Sequence, residues 1–174
     1  GWVGGPDRQG VCGLPGGRRR RARSTVESAG KGSAAGPARA WQAANEYAGT
    51  DPFLVLNSDN LYPASLLRAL VDLKGPGLPA YERDTLERES GFPRDRVMGF
   101  AAIELDHHHH LARIVEKPGS EYYDAAGPRA LISMNVWRFD QRIFDACRDV
   151  PLSARGEYEL PEAVALAITR GVTF

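Results

Sequence analysis

Three observations place this chain in the α/β class. The stretch Phe53 to Leu56 is a short apolar run, set off by Pro52 before it and Asn57-Ser58-Asp59-Asn60 after it. Such a run reads as a strand covered on both faces, the kind found inside a mostly parallel sheet. Pro63 then opens a helical pattern in which Leu66, Leu67, Leu70 and Val71 share a face. Further apolar strand patterns alternate with helical ones toward the C-terminal end, and that alternation is the signature of helices layered on a sheet.

Composition bounds what the chain can be. Its 174 residues suffice for one domain with a real core, and two would be a squeeze. Lys plus Arg and Asp plus Glu both number 22, so there is no net bias toward nucleic acid or an anionic membrane. No apolar run is long enough for a transmembrane helix, and no basic start precedes an apolar core as in a signal peptide. Cys12 and Cys147 lie far apart and offer neither a metal spacing nor a disulfide framework. The expected setting is cytoplasmic.

Residues 1–31 are rich in Gly and Arg and are expected to be poorly ordered, with the domain occupying 32–174. Arg18 to Arg21, extended by Arg23, could meet phosphates or nucleic acid, but a solvated, poorly ordered segment is the plainer account. Its glycines follow no predicted strand, which weakens a phosphate-cradling loop. From Ala38 to Tyr47 the spacing of Ala40, Trp41, Ala44 and Tyr47 predicts a helix stopped by Gly49.

The central strand Phe53 to Leu56 ends in a polar turn, and open α/β sheets place ligands at that carboxyl edge. Asp59 is positioned there to face a cation. The same residues would also serve simply to turn the chain and cap the next helix. Beyond Gly75-Pro76-Gly77, residues Tyr81 to Glu89 read as a charged helix and Arg96 to Asp106 as a strand. A second strand, Leu111 to Val115, would close a hairpin over His107, His108, His109 and His110. A histidine run can bind transition metals, but with no other ligands implied nearby it reads as an exposed turn.

That strand runs into Glu116-Lys117-Pro118, where a carboxylate suits hydroxyl groups and a compact cation suits a phosphate. An ordinary ion pair at a strand end is the plainer account. Leu131 to Phe139 is read as one strand interrupted by Ser133 and Asn135, Arg142 to Cys147 as a helix, and Glu162 to Thr169 as another, with Pro161 in its first turn. The chain ends at Phe174 within what reads as a further strand.

Taken in order, Leu-Asn-Ser-Asp-Asn, Ile-Val-Glu-Lys-Pro, Ser-Met-Asn-Val-Trp and Gly-Glu-Tyr-Glu-Leu-Pro-Glu-Ala-Val resemble the sugar-1-phosphate nucleotidyltransferases. The resemblance runs from about Gly32 to Val172. It implies a Rossmann-like nucleotidyltransferase domain with a mixed, mainly parallel central sheet flanked by helices. It also implies a reaction joining a nucleoside triphosphate to a sugar 1-phosphate, with release of pyrophosphate and Mg²⁺ as cofactor. Asp59 falls at the family's first metal ligand and Glu162 at the second, with Asp59 and Lys117 carrying the catalytic roles. Glu116, Lys117, Ser133, Asn135 and Glu159 fall on the sugar-phosphate side, and Gly32, Ser33 and Asn57 on the nucleotide side.

The chain departs from the family pattern in three places. It has no equivalent of the Gly-Thr-Arg loop that holds the triphosphate, nor of the Lys that follows it. It also carries Glu162 where the family has Asp. It therefore reads as a partial domain, incomplete at its N-terminus. The alternatives are a sugar-phosphate-binding relative without catalysis, or an inactive fragment. No membrane partner is expected, nucleic acid ranks below the sugar-phosphate readings, and a homo-oligomer is compatible with the pattern.

Overall fold

Among the described residues two four-stranded sheets share this chain, and the passage between them falls inside one short apolar segment. The computed structural model describes residues 9–13, 24–26, 44–57, 60–152 and 159–174, the first two stretches as backbone alone. In order the elements are β1 (Gln9–Gly13), β2 (Ser24–Val26), α1 (44–48), β3 (Phe53–Asn57), α2 (Ala64–Asp72), β4 (Tyr81–Glu82), α3 (Arg83–Glu89) and α4 (Arg94–Met98). There follow β5 (Ala102–Leu105), β6 (Leu111–Val115), α5 (Ser120–Ala126), β7 (Leu131–Ile132), β8 (Val136–Phe139), α6 (Arg142–Asp149) and α7 (Leu160–Thr169). One sheet has the order β2-β1-β3-β8 and the other β4-β7-β5-β6.

Strands β3 and β8 of the first sheet are covered on both faces. Phe53 and Val55 of β3 join Trp137 and Phe139 of β8 in the largest buried cluster, beneath α6 and α7. There Phe53 stacks on Phe144 at 5.1 Å and Trp137 on Phe139 at 5.6 Å, with Phe174 edge-on to both Trp137 and Phe139. The alternate residues, Leu54 and Leu56 of β3 and Val136 of β8, meet Leu66, Leu67, Leu70 and Val71 of α2. Side chains alternate across a strand, so an unbroken apolar run serves two helix layers at once. Arg138 is the exception on β8. It is buried, its guanidinium donates to the Gly75 carbonyl, and its backbone pairs with Gly77 in both directions, which fastens the loop after α2 to the strand.

The second sheet packs Ala102 and Ile132 against Leu86 of α3, Val97 of α4 and Tyr123 of α5. Its other face contributes Ile103 and Leu111 to the large cluster, so the two sheets share a core.

The α/β class stands, but the expected direction of pairing is corrected. Each pairing among the described residues is antiparallel, including both neighbours of β3. An apolar run reports that both faces of a strand are covered; it carries no information on which way the neighbouring strands run. The expected strand over Arg96 to Asp106 begins as helix α4 and becomes β5 only at Ala102. Pro93 and the polar Arg94-Asp95 start that helical turn, and Val97 is buried by it as effectively as a strand would bury it. Tyr81-Glu82 forms a short strand before its helix, α5 was not foreseen, and 9–13 and 24–26 pair as strands where the sequence shows no period.

Candidate active site

The strand expected over Leu131 to Phe139 breaks at Ser133-Met134-Asn135, and this break organises the candidate site. Leu131–Ile132 belongs to the second sheet and Val136–Phe139 to the first, so the three residues between them form the seam of the molecule. Asn135 turns the chain there with φ of 52°, a left-handed conformation that Asn tolerates better than most residues. Ser133 is fully buried; its amide donates to the Ala101 carbonyl at 2.9 Å and its hydroxyl accepts the Asn135 amide at 3.3 Å. Ser133 thus shapes the backbone that presents Asn135.

Register brings the other motifs to the same place. Ala102 of β5 lies opposite Val115 of β6 on one side and Ile132 of β7 on the other. Both outer strands run against β5, so Glu116-Lys117 and Ser133-Asn135 leave the sheet at one edge, about 10 Å apart at two inter-strand spacings. Leu56 pairs with Val136, so Asn57 and Asn135 come one step beyond that pair on the edge facing the seam. The ends of β3 and β6 and the start of β8 therefore converge.

Lys117 is exposed and left-handed, with φ of 44°, between Glu116 and the buried Pro118. A residue before proline is steered away from the right-handed helical region, and the left-handed one is costly for Lys. Backbone held in such a conformation is found preferentially at functional sites. Glu116 is exposed and Asn135 half-buried.

Asn60 and Tyr62, beyond β3, are tied to the seam. Tyr62 donates its phenolic hydrogen to the Met134 carbonyl at 2.8 Å, and the Asn60 amide donates to the Tyr62 oxygen at 3.2 Å. Tyr81 lies close by, its phenol pushed above the usual tyrosine range by burial and by the charge Tyr62 would carry. Sequence reasoning missed Tyr62. A buried tyrosine hydroxyl needs a partner, but nothing in the sequence names a carbonyl 72 residues away.

Glu159 and Glu162 stand at the start of α7. Glu159 is half-buried, with its carbonyl accepting the Ala163 amide at 3.2 Å, and Glu162 is exposed on the first turn. Asp59, Gly32 and Ser33 lie outside the described residues. Among the described residues no three His, Cys, Asp or Glu side chains gather in a way that could hold a metal. The donors expected for Mg²⁺, the carboxylates of Asp59 and Glu162, are nevertheless of the right chemistry. That ion takes oxygen ligands and is commonly held by only one or two carboxylates plus substrate phosphates. The four histidines occupy an exposed hairpin turn, as expected, where the Asp106 carboxylate accepts the amides of His108 and His110 at 2.8 and 2.9 Å. No described helix is long and apolar enough to cross a membrane.

A core of two sheets and enclosing helices, with a polar seam where the chain passes between them, defines an α/β domain with a candidate site at strand ends. Residues 18–173 match the family profile described as Nucleotidyl transferase, and the chain belongs to that family. The match begins well before Gly32, inside the Arg-rich segment. Among individual relatives, the chain is 29% identical over 121 residues to the Bifunctional protein GlmU of Methanococcus maripaludis. That stretch is 70% of this chain and 25% of the relative, so the chain spans about a quarter of that protein's length.

Proposed function

We propose that the seam is the sugar-phosphate half of a nucleotidyltransferase site, and that the chain's chemistry joins a nucleoside triphosphate to a sugar 1-phosphate. The observation that carries this reading is the convergence of Asn57, Glu116, Lys117 and Asn135 at one edge, from three strands far apart in sequence.

The reaction needs little covalent help from the protein. An oxygen of the sugar phosphate attacks the α-phosphorus in line, the bond to the bridging oxygen of the β-phosphate breaks, and pyrophosphate leaves. Catalysis is then positioning and charge stabilisation. Lys117 would set the attacking phosphate and offset part of its charge, and its constrained backbone limits where the ammonium can reach. Glu116 would accept hydrogen bonds from sugar hydroxyls. The Asn135 side chain offers both a donor and an acceptor to the ring. Glu159 would add a carboxylate to the sugar side, and Gly32, Ser33 and Asn57 would border the nucleotide. Asp59 and Glu162 would hold Mg²⁺, which when bound offsets charge on the triphosphate oxygens.

The test is pyrophosphate release by the purified protein with Mg²⁺, a panel of nucleoside triphosphates and hexose 1-phosphates, alongside Asp59→Asn. Turnover that this substitution abolishes supports the reading. A folded protein that binds a hexose 1-phosphate yet shows no turnover would point to a binding relative, and one that does neither would remove the function from this chain.

A further inference from the structure

The seam is fastened from outside its own sheets by one side chain. Tyr62, beyond β3, reaches Met134, the middle residue of the break, with a bond of 2.8 Å. Its ring lies against two buried clusters at once. One holds Ile132, Met134 and Val97 on the side of the second sheet, and the other holds Leu54, Leu70 and Val136 on the side of the first. The Met134 carbonyl lies in a stretch that has left one ladder and not yet joined the next, so it needs an acceptor's partner from elsewhere. Asn60 completes a relay, donating to the same phenolic oxygen at 3.2 Å. A tyrosine that merely filled space would need neither bond.

We infer that Tyr62 is a positioning residue: its hydroxyl locks the chain at Asn60–Tyr62 to the seam, so that this segment beyond β3 and the Asn135 side keep one geometry. The ligand part of this inference rests on the reading of the seam as a sugar-phosphate site; the mechanical part does not. Asn135 is already held in a left-handed conformation by Ser133 from within the seam. The Tyr62 bond fixes the preceding carbonyl, so the peptide unit between Met134 and Asn135 is held at both ends. Loss of either hold would let Asn135 sample other directions, at no cost to the cores on either side.

Tyr62→Phe tests this because it deletes the hydroxyl and keeps the ring in both clusters. Hydrogen–deuterium exchange is read in the peptide covering 131–137, with the peptide covering 106–111 as the internal control. Exchange in the seam peptide is expected to rise about threefold to tenfold, the size of one lost hydrogen bond, with the control unchanged. Asn60→Ala should give a smaller rise in the same peptide. Where the wild-type protein binds glucose 1-phosphate or another hexose 1-phosphate, Tyr62→Phe should weaken that affinity several-fold, with Tm lowered by no more than a few degrees. Unchanged exchange at 131–137 overturns the inference, as does faster exchange with sugar-phosphate affinity intact. A wild-type protein that binds no hexose 1-phosphate removes the proposed function, yet the exchange result still decides whether the lock exists.

Discussion

The seam at Ser133–Asn135 and the turn at Asp106–His110 use the same local device and come to different ends. Each carries a non-glycine residue in the left-handed region, Asn135 at φ 52° and His109 at φ 62°. Each is held by a neighbouring side-chain oxygen that accepts a backbone amide two residues on, from Ser133 to Asn135 and from Asp106 to His108. At the histidine turn the hydrogen bonds among Asp106, His108, His109 and His110 close the turn on itself. At the seam they also reach Ala101 and Tyr62. A turn closed on itself can change without consequence, whereas one tied to distant elements fixes relations between them. That difference, more than residue type, favours the seam over the conspicuous histidine run as the candidate functional region.

Substitutions can sharpen the contrast. The largest effect belongs to the strand the seam introduces. Phe139 is fully buried among Phe53, Trp137 and Phe174, so Phe139→Ala should cost about 3–5 kcal/mol by denaturant unfolding. Arg113→Ala, on the exposed side of the strand after the histidine turn, should change stability by less than about 0.5 kcal/mol.

A closer comparison places valine at each left-handed position. Asn135→Val and His109→Val should each lose about 1–2 kcal/mol, because a β-branched side chain tolerates that backbone poorly. Only the first should also weaken hexose 1-phosphate binding. Equal losses of binding from both variants would erase the distinction drawn here. Changing His107, His108 and His110 together to Ala should leave binding and Tm nearly unchanged, the smallest effect of the set.

Outside the two turns, stability should fall at alkaline pH. Burial pushes the Cys147 thiol up to about 12 from an ordinary value of 9.0, and burial likewise raises Tyr81, Tyr122 and Tyr123. For Cys147 the folded state favours the protonated form. Its contribution is therefore intact below pH 9.0 and lost as pH rises toward about 12, with the unfolded thiol ionising first. Tm measured across that range should decline, and Cys147→Ala should make the decline shallower. An unchanged slope would contradict the burial assigned to this thiol.

Much of this molecule is legible in its sequence, and the reasons for the rest are specific. Phe53 to Leu56, α2, α6 and α7 follow from apolar period and turn residues because their burial is set by neighbours in sequence. The hairpin over the four histidines follows in the same way. The break in Leu131 to Phe139 does not: every residue there except Ser133 and Asn135 suits a strand, and only the presence of two sheets decides that the chain must change from one to the other. Strand direction is likewise a property of partners. At the site, Glu116, Lys117 and Asn135 were visible as polar residues at the ends or interruptions of apolar runs. The Tyr62 bond was not, because a hydroxyl's partner is chosen by the fold.

The most direct test of the seam as the site is an amide NMR titration of the ¹⁵N-labelled protein with hexose 1-phosphates, repeated with Lys117→Ala. The account predicts shifts centred on Asn57, Glu116, Lys117 and Ser133–Asn135, strongly reduced in the variant, with His107–His110 silent. Shifts absent from these residues, or confined to Arg18–Arg23, would contradict it.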